Sequence, residues 1–292
     1  MLNGILVVDK PSGWTSFDVI AKLRGVLNTR KIGHSGTLDP MATGVLPLFV
    51  GLSARAVDMQ KNNTKRYTAS VRFGISTDTG DITGKTLCES GKIITPDMLC
   101  AVLPEFTGRQ RQTPPMYSAV KVNGQPLYKL ARKGIEIERP SREIEVLEIN
   151  CLGGGENEYV LDVLCTKGTY IRTLLQDIGE RLGCPAVMSA LRRTQSGDYC
   201  EKNAYTLEKI YSAKEDNSLQ KLLLPVDTVF AELPEISVNA AQEKRLHNGA
   251  DFNFDMPNGE YRVYADGEFL GVAGISDGVC RVKKLFKENP YA

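Results

Sequence analysis

The sequence has few of the side chains that bind metals. Its 292 residues include only two histidines, His34 and His247, which are far apart in the chain. Its seven cysteines are an odd number, and no two of them have the Cys-x-x-Cys spacing of zinc and redox motifs. We therefore expect no metal site and no disulfide framework, and the expected location is a reducing compartment, the cytoplasm.

Long apolar runs are missing as well. No stretch approaches the ~20 consecutive apolar residues of a membrane helix, and the N-terminus lacks the basic segment of a secretory signal. Hydrophobic residues make up 42% of the chain and charged residues 24%, which is typical of a soluble globular protein. At roughly 100–200 residues per domain, this length corresponds to one large domain or two modest ones.

The net charge is only +1, but the charges are unevenly distributed. Residues 109–142 contain eight Lys or Arg against two Asp or Glu, and residues 1–74 contain ten against four. Residues 143–166 contain six acidic side chains and no basic one. Blocks of one sign indicate a basic face that could bind nucleic acid, although an ordinary solvated surface would have the same composition.

Alternating and helical patterns follow one another along the chain. Residues 67–73 and 159–165 alternate apolar with polar side chains, as half-buried strands do. Residues 171–182 place apolar side chains on one face of a helix, and Ser16 is predicted to be the N-cap of an earlier helix. The mixture predicts an α+β fold with a mixed, mostly antiparallel sheet.

Residues 109–134 interrupt this pattern. The Thr-Pro-Pro run at 113–115 cannot be regular structure, and the Val-Asn-Gly-Gln sequence that follows is a hairpin signal. A short basic helix is then predicted to end at Gly134. We interpret the segment as an inserted arm in a first domain of residues 1–232, followed by a small all-β domain over residues 233–292.

The most unusual stretch is GHSGTLDPMATG, residues 33–44. Its glycines and proline describe a constrained loop whose backbone comes close to another group. Taken alone, Asp39 would be a turn-forming residue and His34 a loop histidine that bonds to the backbone. The spacing of a phosphate-binding loop is absent, and no second carboxylate accompanies Asp39 as a glycosidase would require.

Five segments in a fixed order carry a resemblance to a known family. They are GILVVDKPSGWTS, GHSGTLDPMATGVLPL, KRYTASVRFG, RQTPPMYSAVKVNGQPLYKLAR and KGTYIRTL. Together they resemble the TruB family, the bacterial transfer-RNA pseudouridine synthases that act at uridine 55 of the T-loop. The resemblance covers about residues 4–230, and the C-terminal part is similar to a PUA domain. It implies a pseudouridine synthase fold, a monomer, transfer RNA as the partner and no cofactor.

The resemblance also implies roles for individual residues. Asp39 falls on the catalytic aspartate, and Lys10 and Pro11 match a motif that shapes the site. The residues that bind the substrate are then His34, which helps to hold the flipped nucleotide, Tyr67, which stacks on the base, Tyr170 and Arg172, which line the pocket and pair with the aspartate, and Leu191, which forms an apolar wall. The net positive charge of the arm, and not the resemblance, indicates that it clamps phosphates through Arg109, Arg111, Lys129, Arg132 and Lys133.

Pseudouridine formation breaks the N1–C1′ bond and joins C5 to C1′. A carboxylate can serve by covalent attack or by removing a sugar proton, and both routes stay open here. Either route requires ionised Asp39, which a guanidinium at Arg172 would favour. Two other functions stay open: a transfer-RNA chaperone in which chemistry is secondary, and the guide-RNA-dependent branch of the same superfamily.

Overall fold

The apolar run that precedes Lys10 forms the first strand of a large sheet. The computed structural model describes residues 2–118, 120–122 and 124–291. The strands are β1 (Gly4–Lys10), β2 (Ile32–His34), β3 (Thr43–Val50), β4 (Lys65–Phe73), β5 (Ile75–Thr77), β6 (Thr86–Glu89), β7 (Gly108–Gln112), β8 (Lys121–Val122), β9 (Gln125–Pro126), β10 (Arg142–Gly155), β11 (Glu158–Cys165), β12 (Ala186–Ser196), β13 (Tyr199–Cys200), β14 (Glu235–Ser237), β15 (Phe252–Asn253), β16 (Gly259–Ala265), β17 (Glu268–Ser276) and β18 (Val279–Leu285). The α-helices are α1 (Ser16–Val26), α2 (Pro96–Val102), α3 (Leu127–Ala131), α4 (Ile171–Arg181), α5 (Leu207–Glu215) and α6 (Ala240–His247). Short 3₁₀ helices span Gly51–Met59, Leu103–Phe106, Glu201–Asn203, Leu219–Leu222 and Val226–Phe230.

The large sheet has nine strands, in the order β1-β3-β12-β4-β11-β10-β7, with β2 paired to β3 and β13 paired to β12. Only the β3–β12 pair is parallel among these described strands. In β4 the alternation places Tyr67, Ala69, Val71 and Phe73 in the core. The prediction of an α+β fold with a mixed, mostly antiparallel sheet is confirmed.

Helix α4 covers the centre of this sheet. Its apolar face buries Leu174, Leu175 and Ile178 completely, and full burial of such a side chain is worth about 1.5–3 kcal/mol. The helix therefore holds its N-terminal end, which begins at Ile171, in a fixed position over the sheet.

Helix α1 begins at Ser16, one residue earlier than a cap at Ser16 would predict. Thr15, not Ser16, is the N-cap, and it forms a capping box with Asp18. The prediction for Ser16 was wrong because two adjacent hydroxyl residues could each serve as the cap. The Ser16 hydroxyl is instead buried and binds the loop that contains Asp39, where it accepts a hydrogen bond of 2.8 Å from the N–H of Leu38.

A second sheet follows Pro234, with the strand order β14-β16-β17-β18-β15. The C-terminal segment was predicted to be all-β, but it also contains α6, which begins at a capping box formed by Asn239 and Gln242. Aromatic rings pack the C-terminal part of the chain against the residues that precede it, with the centroid of Phe230 lying 5.5 Å from that of Phe286. In the described part of the chain, no helix is long and apolar enough to cross a membrane.

Candidate active site

The 33–44 loop connects β2 to β3 and is held by buried cations that donate hydrogen bonds to backbone carbonyls. Arg193 is fully buried in β12 and donates from Nη2 to the carbonyl of Gly36 at 3.1 Å and from Nε to that of Val45 at 2.7 Å. Gly44 has a φ of +101° and lies against the Arg193 backbone, where a Cβ would collide with the carbonyl oxygen. The loop backbone therefore does approach other groups closely, and Gly44 permits this contact.

Lys10 is a second buried cation under the loop. Its ammonium group donates to the carbonyls of Pro11, Trp14 and Pro40 at 2.8, 2.6 and 3.2 Å. Burial lowers the pKa of Lys10 to about 8, and the charge of nearby Asp39 opposes this effect. Lys10 thus fastens the turn after β1 to the residue that follows Asp39.

Asp39 and Arg172 form a two-point ion pair. The Nε of Arg172 lies 2.9 Å from one carboxylate oxygen of Asp39, and Nη2 lies 3.1 Å from the other. The buried guanidinium also donates to the carbonyls of Thr79 at 2.9 Å and Tyr117 at 2.7 Å. These contacts leave the guanidinium little freedom, so that it fixes the orientation of the carboxylate.

Burial has the larger effect on the ionisation of Asp39. The pKa of Asp39 is raised above its ordinary value of 3.8 because burial disfavours the charged form. The charge of Arg172 opposes this, while Asp81 raises the pKa further. The carboxylate of Asp81 lies 3.9 Å from Nη1 of Arg172. Sequence reasoning missed Asp81, because its own segment has no distinctive motif and only the fold brings it close to Arg172.

A cavity of about 120 Å³ opens beside Asp39. It is lined by Thr37, Leu38, Asp39, Tyr67, Ser118, Thr169, Tyr170, Ile171, Arg172 and Leu191. The lining includes the predicted catalytic aspartate and four of the predicted substrate-binding residues, which come from four separate parts of the chain. Tyr67 is buried, and burial raises the pKa of its phenol, so that the ring enters the wall of the cavity as a neutral group.

Comparison with known proteins agrees with this arrangement. A family described as "TruB family pseudouridylate synthase (N terminal domain)" matches residues 24–171. Two further families, described as TruB C-terminal domains, match residues 172–231 and 234–286. The chain belongs to the TruB family.

Curated relatives and solved structures agree on this membership. A tRNA pseudouridine synthase B of Lactobacillus gasseri is 39% identical over 99% of this chain and 100% of the relative. Another, of Shouchella clausii, is 42% identical over 92% of this chain and 89% of the relative. A crystal structure of a Cbf5-Nop10-Gar1 complex contains a chain that is 27% identical, with a TM-score of 0.72 over 98% of this chain and 85% of that one. The chain is therefore a pseudouridine synthase of the TruB family, as its motifs predicted.

His34 lies apart from the cavity of this TruB-family site. It is in β2, where its Nδ1 accepts a hydrogen bond of 3.2 Å from the N–H of Gly36. Burial and the charges of Arg193 and Lys65 lower the pKa of His34, which keeps the imidazole neutral. His34 does not belong to the cavity lining, but it lies two residues before Gly36, where the loop leaves β2.

The arm contributes directly to the site. The side chain of Gln112 is buried at the end of β7 and binds both backbone groups of Tyr170, with distances of 2.8 and 3.0 Å. Tyr117 accepts from Arg172, and Ser118 lines the cavity. Sequence reasoning treated the arm as a phosphate clamp and did not select these three residues, although all of them lie in the segment RQTPPMYS that carried the family resemblance.

The predicted clamp residues fall into two groups, all of them exposed. Arg109 and Arg111 are in β7 and face acidic or polar neighbours, since Arg109 lies 4.0 Å from Glu143 and Arg111 binds the hydroxyl of Ser141 at 2.9 Å. The other three, Lys129, Arg132 and Lys133, line a surface depression of about 430 Å³ at α3. Within the described residues, these three have no ion-pair partner.

Two other features of the fold bear on possible ligands. Among the residues that the structure describes, no group of three or more His, Cys, Asp or Glu side chains is placed to hold a metal ion. A larger cavity of about 790 Å³ lies between the second sheet and the segment 220–227, against Leu224, Asp227 and Phe269. None of the residues predicted for the site belongs to its lining.

Proposed function

We propose that this chain isomerises uridine 55 in the T-loop of transfer RNA to pseudouridine, with Asp39 as the catalytic group. The observation that carries the proposal is the two-point pair of Asp39 with Arg172 in the wall of a small cavity that also contains Tyr67. The names of the curated relatives support transfer RNA as the substrate.

The reaction needs one ionised carboxylate and no net gain or loss of atoms. The N1–C1′ bond breaks, the base turns in the cavity, and C5 bonds to C1′. N1 ends with a proton and C5 loses one, so that the overall change is an isomerisation without oxidant or reductant. Asp39 acts either as the nucleophile or as the base that removes a sugar proton, and Arg172 stabilises the charged carboxylate in both cases.

The size of the site requires the base to leave the RNA. A cavity of about 120 Å³ accommodates a single pyrimidine ring but not stacked RNA, so the uridine must be flipped out, at a cost of a few kcal/mol. Stacking on Tyr67 offsets part of this cost, since stacking on an aromatic ring is worth ~1–3 kcal/mol per base. The neutral imidazole of His34 occupies the space that the flipped nucleotide leaves, and Leu191 supports the apolar face of the base.

The arm and the C-terminal segment complete the RNA-binding surface. In our proposal, residues 1–232 form the catalytic domain with the arm at about 109–134, and residues 233–292 form a PUA-like domain that contacts the RNA outside the T-loop. The clamp cations on the arm bind phosphates and release counterions. The enzyme works as a monomer in the cytoplasm, without a cofactor.

Mass-spectrometric mapping of pseudouridine tests this function. Purified protein is incubated with an unmodified transfer-RNA transcript in the presence of EDTA, without guide RNA or nucleotide. The proposal predicts pseudouridine at position 55 alone, and none in a transcript with cytidine at that position. Modification at another position, or a requirement for a guide RNA, would contradict it.

A further inference from the structure

The hydroxyl of Ser118 is a buried polar group in the wall of the Asp39 cavity. The residue is 6% exposed and lines the cavity together with Tyr67 and Arg172. Its Oγ has no hydrogen-bond partner among the residues that the structure describes. Buried polar groups in native proteins are almost always paired, so an unpaired hydroxyl that faces a cavity indicates a ligand that pairs with it.

The backbone of Ser118 is held by two hydrogen bonds. Its N–H donates to the carbonyl of Met116 at 3.0 Å, and its carbonyl accepts from the N–H of Tyr128 at 3.0 Å. The preceding carbonyl, that of Tyr117, accepts from Arg172 at 2.7 Å. The guanidinium that orients Asp39 therefore also positions the residue next to Ser118.

We propose that Ser118 is a substrate-binding residue which the arm supplies to the catalytic cavity. Its hydroxyl forms a hydrogen bond with the flipped uridine, and this bond replaces the missing protein partner. A hydroxyl both donates and accepts, so that it can pair with O2 or O4 of the base or with the ribose 2′-hydroxyl. The inference rests on the proposed function, because it requires a uridine in this cavity.

A substrate-binding role and a purely structural role of Ser118 predict different effects of its replacement by alanine. If Ser118 only filled space, its replacement by alanine would remove an unsatisfied group, and both stability and turnover would stay the same or rise. If the hydroxyl binds the uridine, the same replacement slows the reaction while the protein stays as stable as before. The two roles are therefore separated by comparing turnover with melting temperature.

The first experiment measures the single-turnover rate at saturating enzyme for Ser118→Ala. Ser196→Ala is the matched control, because Ser196 is also buried but does not line the cavity. We expect a fall of about 3- to 10-fold for Ser118→Ala, the effect of one hydrogen bond, with an unchanged melting temperature and an unchanged rate for the control. A change below twofold, or a loss accompanied by a lower melting temperature, would overturn the inference.

The second experiment identifies the contact on the substrate. Transcripts carry 2-thiouridine, 4-thiouridine or 2′-deoxyuridine at the target position, and binding and rate are compared for the wild type and Ser118→Ala. A reduced effect of the mutation on one of the three transcripts supports a direct contact at that atom, whereas fully additive losses on all three contradict it. If the wild type makes no pseudouridine, the proposed function fails, and if only the Ser118 effects are absent, the function stands and this inference falls.

Discussion

Asp39 and Arg172 are 133 positions apart in the sequence, yet two nitrogens of the guanidinium face the two oxygens of the carboxylate at 2.9 and 3.1 Å. This geometry uses the planar fork of arginine, which lysine cannot reproduce. The guanidinium also donates hydrogen bonds to two backbone carbonyls, those of Thr79 and Tyr117. It therefore connects the 33–44 loop, the turn that contains Thr79 and the arm.

Replacing Arg172 with lysine should slow the single-turnover rate about 100-fold, because the charge is kept but the orientation of Asp39 is lost. Arg181→Lys is the matched control, since Arg181 is on the same helix and binds Glu105 at two points, 2.7 and 2.8 Å, on the surface. A surface pair contributes little, so that this variant should keep the wild-type rate. Equal rates for both variants would exclude an orienting role for Arg172.

The reaction rate should fall in acid, because Asp39 becomes protonated. Because burial raises the pKa of Asp39 above 3.8, the acidic limb of the pH–rate profile should have its midpoint above that value. The charge of Arg172 lowers this pKa, so the limb of Arg172→Gln should move to higher pH. The profile is measured by single turnover at saturating enzyme, with RNA binding checked at each pH. A limb that does not move in Arg172→Gln contradicts the coupling.

The pH–rate profile should also have an alkaline limb, caused by deprotonation of Lys10. Its pKa is about 8, and above it the amine can donate only two of the three hydrogen bonds that it makes to carbonyls in the turn and in the loop. We expect the rate to fall about 10-fold as the pH rises through this value, the effect of one hydrogen bond from a charged group. Lys10→Met should be slow and lack the alkaline limb. Lys65→Met should keep it, although the pKa of Lys65 is also about 8.

The contribution of Lys10 to stability should rise with pH, whereas the reaction rate should fall. The folded pKa of Lys10, about 8, is below its ordinary value of 10.5, so between these values the unfolded chain binds more protons than the folded one. The free energy of unfolding contributed by Lys10 therefore rises with pH in that window. Urea denaturation should show a smaller rise between pH 8 and 10 for Lys10→Met than for the wild type. An equal rise would show that burial of the charge at Lys10 is not costly.

Neutralising the arm should flatten the salt dependence of RNA binding. Each phosphate contact contributes roughly −0.7 to −0.9 to the slope of log affinity against log salt. The triple variant Lys129→Gln, Arg132→Gln and Lys133→Gln should make the slope shallower by about 2–3 units, and the additional changes Arg109→Gln and Arg111→Gln should add less, because those two cations already face Glu143 and Ser141. The control is a variant with glutamine at Lys209, Lys214 and Lys221, which are exposed outside the arm. An unchanged slope in the five-fold variant, with the fold intact by circular dichroism, would refute the clamp.

The sequence predicts those parts of the fold and site that depend on local pattern. Alternation in residues 67–73 predicted a strand with Tyr67 on its inner face, and the structure buries that face. The conformational demands of the 33–44 loop were visible in its glycines and in Pro40. Helix α6 was missed because its capping box at Asn239 precedes a short helix with few apolar residues.

Contacts between distant segments could not be predicted in this way. Asp81 lies outside the motifs that carried the family resemblance. Gln112 and Ser118 lie within one of them, RQTPPMYS, but the motif does not show which of its side chains reach the site. Each acquires its position only in the folded chain, where the arm and the turn that contains Thr79 both bind Arg172. The family motifs marked the residues to which we assign the chemistry, whereas the carbonyls and the amide that hold them in place are recognisable only in the folded chain.

The central claim, that Asp39 performs the chemistry, is tested most directly by the single-turnover rate of Asp39→Asn measured beside its affinity for transfer RNA. Asp177→Asn is the matched control, since burial raises the pKa of Asp177 to about 6 on helix α4, outside the cavity lining. We predict no detectable pseudouridine with Asp39→Asn, an affinity within about threefold of the wild type because binding is spread over many phosphates, and normal turnover with Asp177→Asn. Substantial residual turnover in Asp39→Asn would contradict the account.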